Sequence, residues 1–291
     1  MAATELPRIS IVTPSYNQGA FLDATIRSVL SQEYPNLEYF VIDGNSTDNS
    51  VDVIRRYAKH LTYWVSEPDR GQSHAINKGF ARASGDILAW LNSDDVFEPG
   101  TLRAIADEAA RFPDVGAFVG EGRIINGAGK VVYYKRPGHL TFEEMCRWLD
   151  GGDFMQPSCF FTRRAWEAAG PLDEDIHIAL DVALWLRMVR AVKFRAIDRL
   201  LSTSLAHDKA KTQAYRNEMI VDAAITIIRA GGHEAVRRRL VDAVAIASRH
   251  ERRRLVNRPL VQFVRRGVRY IRRRWRSGAG AVARATAANR P

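Results

Sequence analysis

Residues 67–95 read EPDRGQSHAINKGFARASGDILAWLNSDD, and the rest of the chain is organised around this segment. Ile87-Leu88-Ala89-Trp90-Leu91 is an apolar run with the length of a buried strand. The segment from Ser73 to Ala83 reads as a helix in front of that strand. Asn92-Ser93-Asp94-Asp95 follows at the carboxyl end of the strand, where open α/β sheets bind ligands. A hard divalent cation such as Mg2+ or Mn2+ prefers oxygen ligands and commonly shares them between one or two carboxylates and phosphate groups, so Asp94 and Asp95 suit one. Asn, Ser and Asp are also ordinary turn residues, and the dipeptide alone is compatible with a solvated turn.

Upstream the same alternation repeats. Ile9-Ser10-Ile11-Val12 reads as a first strand that stops at the turn-rich loop 13–19, and a helix follows over Phe21 to Gln32, with Leu22, Ile26 and Val29 on one face. Tyr39 to Ile42 is a second strand, closed by Asp43-Gly44-Asn45-Ser46-Thr47-Asp48. Thr47 or Asp48 can cap the next helix, which carries Val51, Ile54 and Tyr57. Leu61 to Val65 is a third strand. Strands alternating with helices predict an α/β fold, a mostly parallel twisted sheet with helices on both faces. The loops 13–19, 43–48, 66–73 and 92–95 then share one edge. Neither G-x-G-x-x-G nor G-x-x-x-x-G-K-[ST] occurs, so a dehydrogenase-type dinucleotide site or a P-loop is not expected.

At 291 residues the chain can hold one large α/β domain with an appendage, or two small domains. Its two cysteines, Cys146 and Cys159, lack the number of a disulfide framework and the spacing of a metal site, which points to a reducing cytosol. No basic leader with an apolar run opens the sequence, and no 18 consecutive apolar residues occur, so neither a cleaved signal nor a membrane span is expected. The net charge of +10 is unevenly placed. Residues 229–291 hold 18 Arg, no Lys and three acidic residues, a surplus of +15, which leaves residues 1–228 at −5.

Five motifs in order carry a resemblance: Val12-Thr13-Pro14-Ser15-Tyr16-Asn17, Val41-Ile42-Asp43-Gly44-Asn45-Ser46-Thr47-Asp48, Glu67-Pro68-Asp69-Arg70-Gly71-Gln72, Ala75-Ile76-Asn77-Lys78-Gly79 and Leu91-Asn92-Ser93-Asp94-Asp95. Over residues 7–215 the chain resembles a family 2 glycosyltransferase of the GT-A fold, an inverting enzyme. The resemblance implies that Pro14 and the backbone around Ser15 and Tyr16 line a nucleobase pocket. It implies that Asp43 accepts a hydrogen bond from the base, that Asp69 lies near base or ribose, and that Asn77 belongs to the same nucleotide site. Asp94 would sit by the ribose and Asp95 would ligate Mg2+ or Mn2+, neutralising the charge that develops on a departing diphosphate. The donor would be a nucleoside-diphosphate sugar, with a UDP-sugar favoured. Asp43 also reads as a turn residue after a strand.

Further on, Val115 to Val119 and Val131 to Tyr134 read as strands of a hairpin with its tip at Asn126-Gly127-Ala128-Gly129. Thr141 to Glu144 has capping-box spacing. Residues 151–158 read as a mobile, polar loop before a Cys159-Phe160-Phe161 strand; by resemblance donor and acceptor meet here, with Gln156 as a contact, though Gln156 also reads as a strand-edge polar residue. Ile178 to Val189 contains a helix with Asp181 near its start. Asp181 matches the family's catalytic aspartate, the base that takes the acceptor hydroxyl proton. The chain departs from the family at Leu180 and Ala183, where acidic residues are frequent, and Asp173, Glu174 and Asp175 are alternative bases. His207 resembles the family's loop histidine and can supply a metal ligand, with Lys211 neutralising phosphate.

Residues 216–249 read as two helices broken at Gly231-Gly232. Leu260, Val264, Val268, Ile271 and Trp275 share one helical face, with Arg265, Arg266, Arg269, Arg272, Arg273 and Arg276 filling much of the remainder, so the segment 259–276 can lie on an anionic membrane surface. The same helix could instead pack on the body or on a second subunit of a homo-oligomer. Nucleic acid is not an expected partner, since the body has no recognisable nucleic-acid module. The expected organisation is a glycosyltransferase domain over 1–215, a helical basic extension over 216–277 and a disordered tail over 278–291. The expected activity is metal-dependent inverting transfer of a sugar to a glycan or lipid-linked acceptor, in the cytoplasm or peripherally on the cytoplasmic face of the membrane. Two alternatives remain at this stage. One is a noncatalytic sugar-nucleotide or glycan-binding scaffold. The other is a nucleotidyltransferase, which should show a basic phosphate-grasping loop where Val12 to Phe21 has no Lys or Arg.

Overall fold

Strands β1 (Ile9–Ser15), β2 (Leu37–Asp43), β3 (Tyr63–Ser66), β4 (Ile87–Trp90), β5 (Asp95–Phe97), β6 (Val115–Ile125), β7 (Val131–Lys135), β8 (Cys159–Thr162) and β9 (Lys193–Leu205) form one sheet in a computed structural model. The structure describes residues 6–152, 154–207 and 216–256. The strand order is β3-β2-β1-β4-β8-β6-β9-β5, with β7 paired to β6. β1 to β4, β6 and β9 share one direction, while β5, β7 and β8 run against it. The expected mostly parallel sheet is therefore present, with antiparallel strands in its second half.

Buried on both sides, the central strands alternate between two cores. Ile9, Ile11, Tyr39, Val41 and Ala89 face Leu22, Ile26 and Val29 of helix α1 (Gly19–Leu30), Val53 and Ile54 of α2 (Ser50–Tyr57) and Leu102 and Ile105 of α4 (Thr101–Arg111). Val12, Phe40, Ile42, Leu88 and Trp90 face the opposite way. They meet Ile76 and Phe80 of α3 (Gln72–Phe80) and Leu184 and Trp185 of a helix over Leu180–Ala191. Between α4 and that helix lie a one-turn helix, α5 (Phe142–Met145), and α6 (Arg163–Ala169), so Leu180–Ala191 is α7. Trp90 and Trp185 stack with centroids 5.3 Å apart and fix α7 against the end of β4.

The sheet also corrects several expected boundaries. β1 does not stop at Val12 but runs on through Thr13, Pro14 and Ser15, in register with Val41, Ile42 and Asp43. Pairing with β4 ends at Val12, so Pro14 has a neighbouring strand on one side only, where its missing N–H is tolerated. Asp95 lies not in a loop but in β5, opposite Ser204 of β9. The hairpin is present as expected, with Asn126 Oδ1 accepting the N–H groups of Ala128 and Lys130. The segment before β8 is not a polar loop: Phe154, Pro157 and Ser158 are buried, and Phe154 packs edge-on against Trp148.

Two further helices, α8 (Arg216–Arg229) and α9 (His233–Val256), are broken at Gly231-Gly232 as the sequence predicts. Gly231 takes a φ of +95°, a conformation glycine adopts without strain. Ala223, Ile227 and Val236 are buried with the α7 core, and Arg190 donates to the Ala230 carbonyl at 2.6 Å. The compact unit that holds the sheet ends at Val236; the second unit begins at Arg237, and its described part is the rest of α9. Lys211, the loop around it, the expected amphipathic helix over 259–276 and the tail lie outside the described residues. Among the described residues no helix is long and apolar enough to cross a membrane.

Candidate active site

Because β1 and β2 are parallel neighbours, the loops after them meet at the carboxyl edge of the sheet. They are bound to each other by short polar side chains. The Asn17 N–H donates to Ser46 Oγ (2.8 Å), the Thr47 N–H to Asn17 Oδ1 (2.9 Å) and the Gln18 N–H to Ser50 Oγ (3.1 Å). Asp48 accepts the first N–H of α1, from Gly19, and the first of α2, from Ser50, both at 2.9 Å. Burial opposes ionisation of Asp48, but the donors from Ser50 and Gly19 outweigh it and hold its carboxyl below the usual range. Asn17 and Asn45 occupy left-handed backbone at φ +51° and +63°, a region asparagine enters more readily than most residues. Tyr16 stands beside them with 63% of its surface exposed, whereas Pro14 and Ser15 are buried.

Asp43, expected to accept a hydrogen bond from a nucleobase, is fully buried. Its Oδ1 accepts from Ser15 Oγ (3.0 Å) and Ser46 Oγ (2.5 Å), and its Oδ2 accepts from the Ser46 N–H (2.9 Å) and Ser66 Oγ (2.7 Å). Four donors fill the acceptor positions of a carboxylate, so Asp43 here ties together the ends of three adjacent strands. Asp69 lies against the next residue: a Cβ on Gly44 would come within 2.8 Å of its Oδ2, and its Oδ1 accepts the Gly71 N–H at 2.8 Å. Asn77, expected at the nucleotide site, is bonded to a distant segment of the chain. Its amide donates to the Leu172 carbonyl (2.9 Å) and accepts the Leu172 N–H (2.9 Å), which clips the 172–176 segment onto α3.

Asp94 and Asp95 turn to different partners. Asp94 Oδ2 lies 3.0 Å from His207 Nε2, and the His207 ring stacks on Phe21 with centroids 4.3 Å apart. His207 Nδ1 is buried with no hydrogen-bond partner among the described residues. Asp95 is buried, accepts from Asn92 Nδ2 at 3.1 Å and bonds Ser204, while its backbone carbonyl accepts from Thr25 Oγ1 at 2.8 Å. Burial and the neighbouring Asp94 charge push its carboxyl pKa up to about 7. Gln156 is brought to this point. It donates to the Trp90 carbonyl (2.9 Å) and accepts from Asn92 Nδ2 (3.1 Å), while Asn92 Oδ1 accepts from Gln72 Nε2 (2.7 Å). Gln72, Asn92, Thr25 and Phe21 were not singled out by sequence reasoning, although Gln72 and Asn92 stand inside the quoted motifs.

Among the described residues no three His, Cys, Asp or Glu side chains form a ready ligand group. The donor set nevertheless fits a hard divalent cation: a buried carboxylate whose ionisation is opposed by its surroundings, a second carboxylate beside it, and an imidazole with an unpartnered buried nitrogen. Phosphate and water oxygens would complete such a shell.

α7 leads into Lys193, which pairs with Val115 at the start of β6, so α7 runs from the carboxyl edge of the sheet back to its amino edge. Asp181, its second residue, is therefore at the same edge as Asp94 and Asp95, one turn before Trp185. It is half-buried, and its Oδ1 accepts the Val182 N–H at 2.8 Å. Two further acids precede it in that segment with partners of their own. Glu174 pairs with Arg70 and accepts from Asn77, and the Asp173 carboxylate accepts the Asp175 N–H. Burial opposes ionisation of Glu174, but these partners prevail and lower its pKa, which weakens it as a base.

The family model Glycosyl transferase family 2 matches residues 10–169. A putative teichuronic acid biosynthesis glycosyltransferase of Bacillus subtilis, TuaG, is 37% identical over 191 residues, 63% of this chain and 73% of that protein. Uncharacterized glycosyltransferases of a Nostoc species and of Mycobacterium tuberculosis are 34% and 41% identical over 128 and 107 residues, 43% and 36% of this chain. In those two the matched region spans only 39% and 41% of the relative's length. Among solved structures, Staphylococcus aureus TarS 1–349 in complex with UDP superposes with a TM-score of 0.57 at 15% identity, over 75% of this chain and 65% of that one. The mannosyltransferase PcManGT from Pyrobaculum calidifontis, in complex with GDP-Man and Mn2+, gives 0.59 at 18%, over 89% and 83%. At these identities the structural likeness is one of fold.

Proposed function

We propose that this chain, which belongs to glycosyl transferase family 2, transfers a sugar from a nucleoside-diphosphate donor, with a UDP-sugar favoured, to a glycan or lipid-linked acceptor with inversion at the anomeric carbon. The observation that carries the reading is the gathering of Asp94, Asp95, His207, Gln156 and Asp181 at one edge of the sheet, beside the loops that hold Tyr16 and Asp69. In this reading the base and ribose lie against Tyr16, Pro14 and Asp69, with Asp94 near the ribose. Asp43 shapes this pocket through its serine tethers, and contact between its carboxylate and the base requires Ser46 or Ser66 to yield a lone pair.

Asp95 and His207 would hold Mg2+ or Mn2+, which when bound neutralises the charge of the departing diphosphate. Lys211 adds positive charge to the same phosphates, and Gln156 orients the donor sugar. Asp181 takes the proton of the acceptor hydroxyl as that oxygen attacks from the face opposite the diphosphate. The arginines of 259–276 bring the enzyme to an anionic membrane surface that carries a lipid-linked acceptor.

A thermal-shift panel of UDP, GDP, CDP and dTDP, with and without Mn2+, tests the donor site on wild-type protein and on Asp95→Ala. One base should stand out with Mn2+, and the metal dependence should vanish in the variant. Asp181→Asn should keep that shift and lose sugar transfer by about 100-fold or more. A protein that no nucleotide stabilises under any metal condition is not the transferase proposed.

A further inference from the structure

The outer strand of the β6–β7 hairpin is apolar and open on both faces. Val131, Val132, Tyr133 and Tyr134 are each more than 40% exposed. Register decides which of its faces matters. Tyr133 pairs with Ile124, Ile124 with Ser204 and Ser204 with Asp95, so these four residues form one row across β7, β6, β9 and β5. Directly paired residues project from the same face of a sheet, and the Ser204–Asp95 bond shows the side chains doing so. Tyr133 thus lies on the face of Asp95, three strand spacings away, about 14 Å. Tyr134 is on the other face, where it donates to Glu121, which also pairs with Arg136.

The ground between Tyr133 and Asp95 is continuous with the site. Gly122, in the next row on the same face, is covered by Met155, and Ser202 in that row bonds Ser158. The 155–158 turn therefore lies over this face, and its Gln156 touches Asn92 beside Asp95. Lys135 occupies the Gly122 row on the same face as Tyr133. Beyond Glu121 the hairpin carries charge of one sign: residues 122–142 hold four cations, Arg123, Lys130, Lys135 and Arg136, and no Asp or Glu. Arg123 is matched by Glu98 and Arg136 by Glu121, whereas neither Lys130 nor Lys135 has a salt bridge among the described residues.

We propose that the Tyr133–Lys135 face of the hairpin binds the acceptor as an anionic oligosaccharide, holding internal sugars of the chain while its end reaches the Asp95 edge. This rests on the glycosyl-transfer reading and gives it an acceptor class. The apolar face of a sugar ring stacks on the Tyr133 ring, the amphipathic use that makes tyrosine common at binding surfaces. Lys135 and Lys130 pair with carboxylate or phosphate groups along the chain, a contact that weakens with salt.

The test measures fluorescence anisotropy of two labelled probes on full-length protein without donor. One is a hexasaccharide of alternating glucuronic acid and N-acetylglucosamine, and the other is neutral chitohexaose. Wild-type protein should bind the anionic probe at least tenfold more tightly than the neutral one, with affinity falling as salt rises. Tyr133→Ala should weaken the anionic probe about tenfold and Lys135→Gln about threefold, while Tyr134→Ala on the opposite face stays within twofold. Equal binding of the two probes, no binding of the anionic one, equal losses at Tyr133 and Tyr134, or a Tyr133-dependent dimer in sedimentation would each overturn the inference. A UDP and Mn2+ thermal shift on the same samples separates the two readings. Nucleotide binding without oligosaccharide binding sinks the hairpin site alone, and the reverse sinks the donor site alone.

Discussion

Replacing Asp43 with alanine removes a fully buried carboxylate that accepts four hydrogen bonds from three separate segments of the chain. Hydrogen bonds to a charged acceptor contribute about 1.5–3 kcal/mol each, but they do not add, and a donor left unmade inside the protein costs about 1–3 kcal/mol. Three of the donors are serine hydroxyls, which can rotate toward one another or toward water. The Ser46 N–H is fixed by the backbone and cannot. Counting that amide and one or two hydroxyls as stranded gives a loss of about 3–5 kcal/mol for Asp43→Ala, a large part of the stability of an ordinary domain. Asp43→Asn keeps one oxygen for the Ser46 N–H and points its NH2 at hydroxyls that can turn to accept, so it should cost only about 1–2 kcal/mol. Urea unfolding of nucleotide-free protein, followed by tryptophan fluorescence, reads both: the midpoint should fall in that order with an unchanged slope. The reasoning is refuted if Asp43→Ala unfolds within about 1 kcal/mol of wild type yet no longer binds nucleotide. That result would return Asp43 to the base contact implied by the sequence motif.

Asp95→Asn should stabilise the metal-free protein increasingly as pH rises. The folded pKa of Asp95 is raised from 3.8 to about 7, so its contribution is fully present below pH 3.8 and is lost as pH climbs through about 7. Between pH 5 and pH 8 the gap between variant and wild type should widen by about 2.5 kcal/mol in EDTA, and a gap that does not change with pH contradicts the burial argument. Gly44→Ala places a methyl group against the Asp69 carboxylate and breaks its bond to the Gly71 N–H. Unfolding should change by about 1 kcal/mol, while nucleotide affinity in calorimetry drops about tenfold; unchanged affinity would separate Asp69 from the donor pocket.

The alternation of strands and helices was legible because it is written in short windows. Ile9 and Ile11 against Val12, or Tyr39 and Val41 against Phe40 and Ile42, carry a period of two, and the helices carry theirs within one turn. Thr141 with Glu144, and Gly231-Gly232 between α8 and α9, are signals of the same local kind. The place of the carboxylate pair after β4 followed from position, since the end of a parallel strand is a fixed place in such a fold, whereas its reading as a metal site rested on the five motifs taken together.

What the windows could not contain was the partner of each polar side chain. Asp43 receives donors from Ser15 and Ser66, 28 and 23 residues away; Asn77 meets Leu172 across 95 residues, and Asp94 meets His207 across 113. Short windows of the chain were enough for the fold class, the edge that bears the candidate site and the motifs on it. That Asp43 ties three strands, that Asn77 holds Leu172, that Asp95 sits in a strand and that Tyr133 shares its face emerged from the folded chain. Each of these depends on strand register or on the crossing of distant segments, which local propensity leaves open and close packing of the whole sheet resolves.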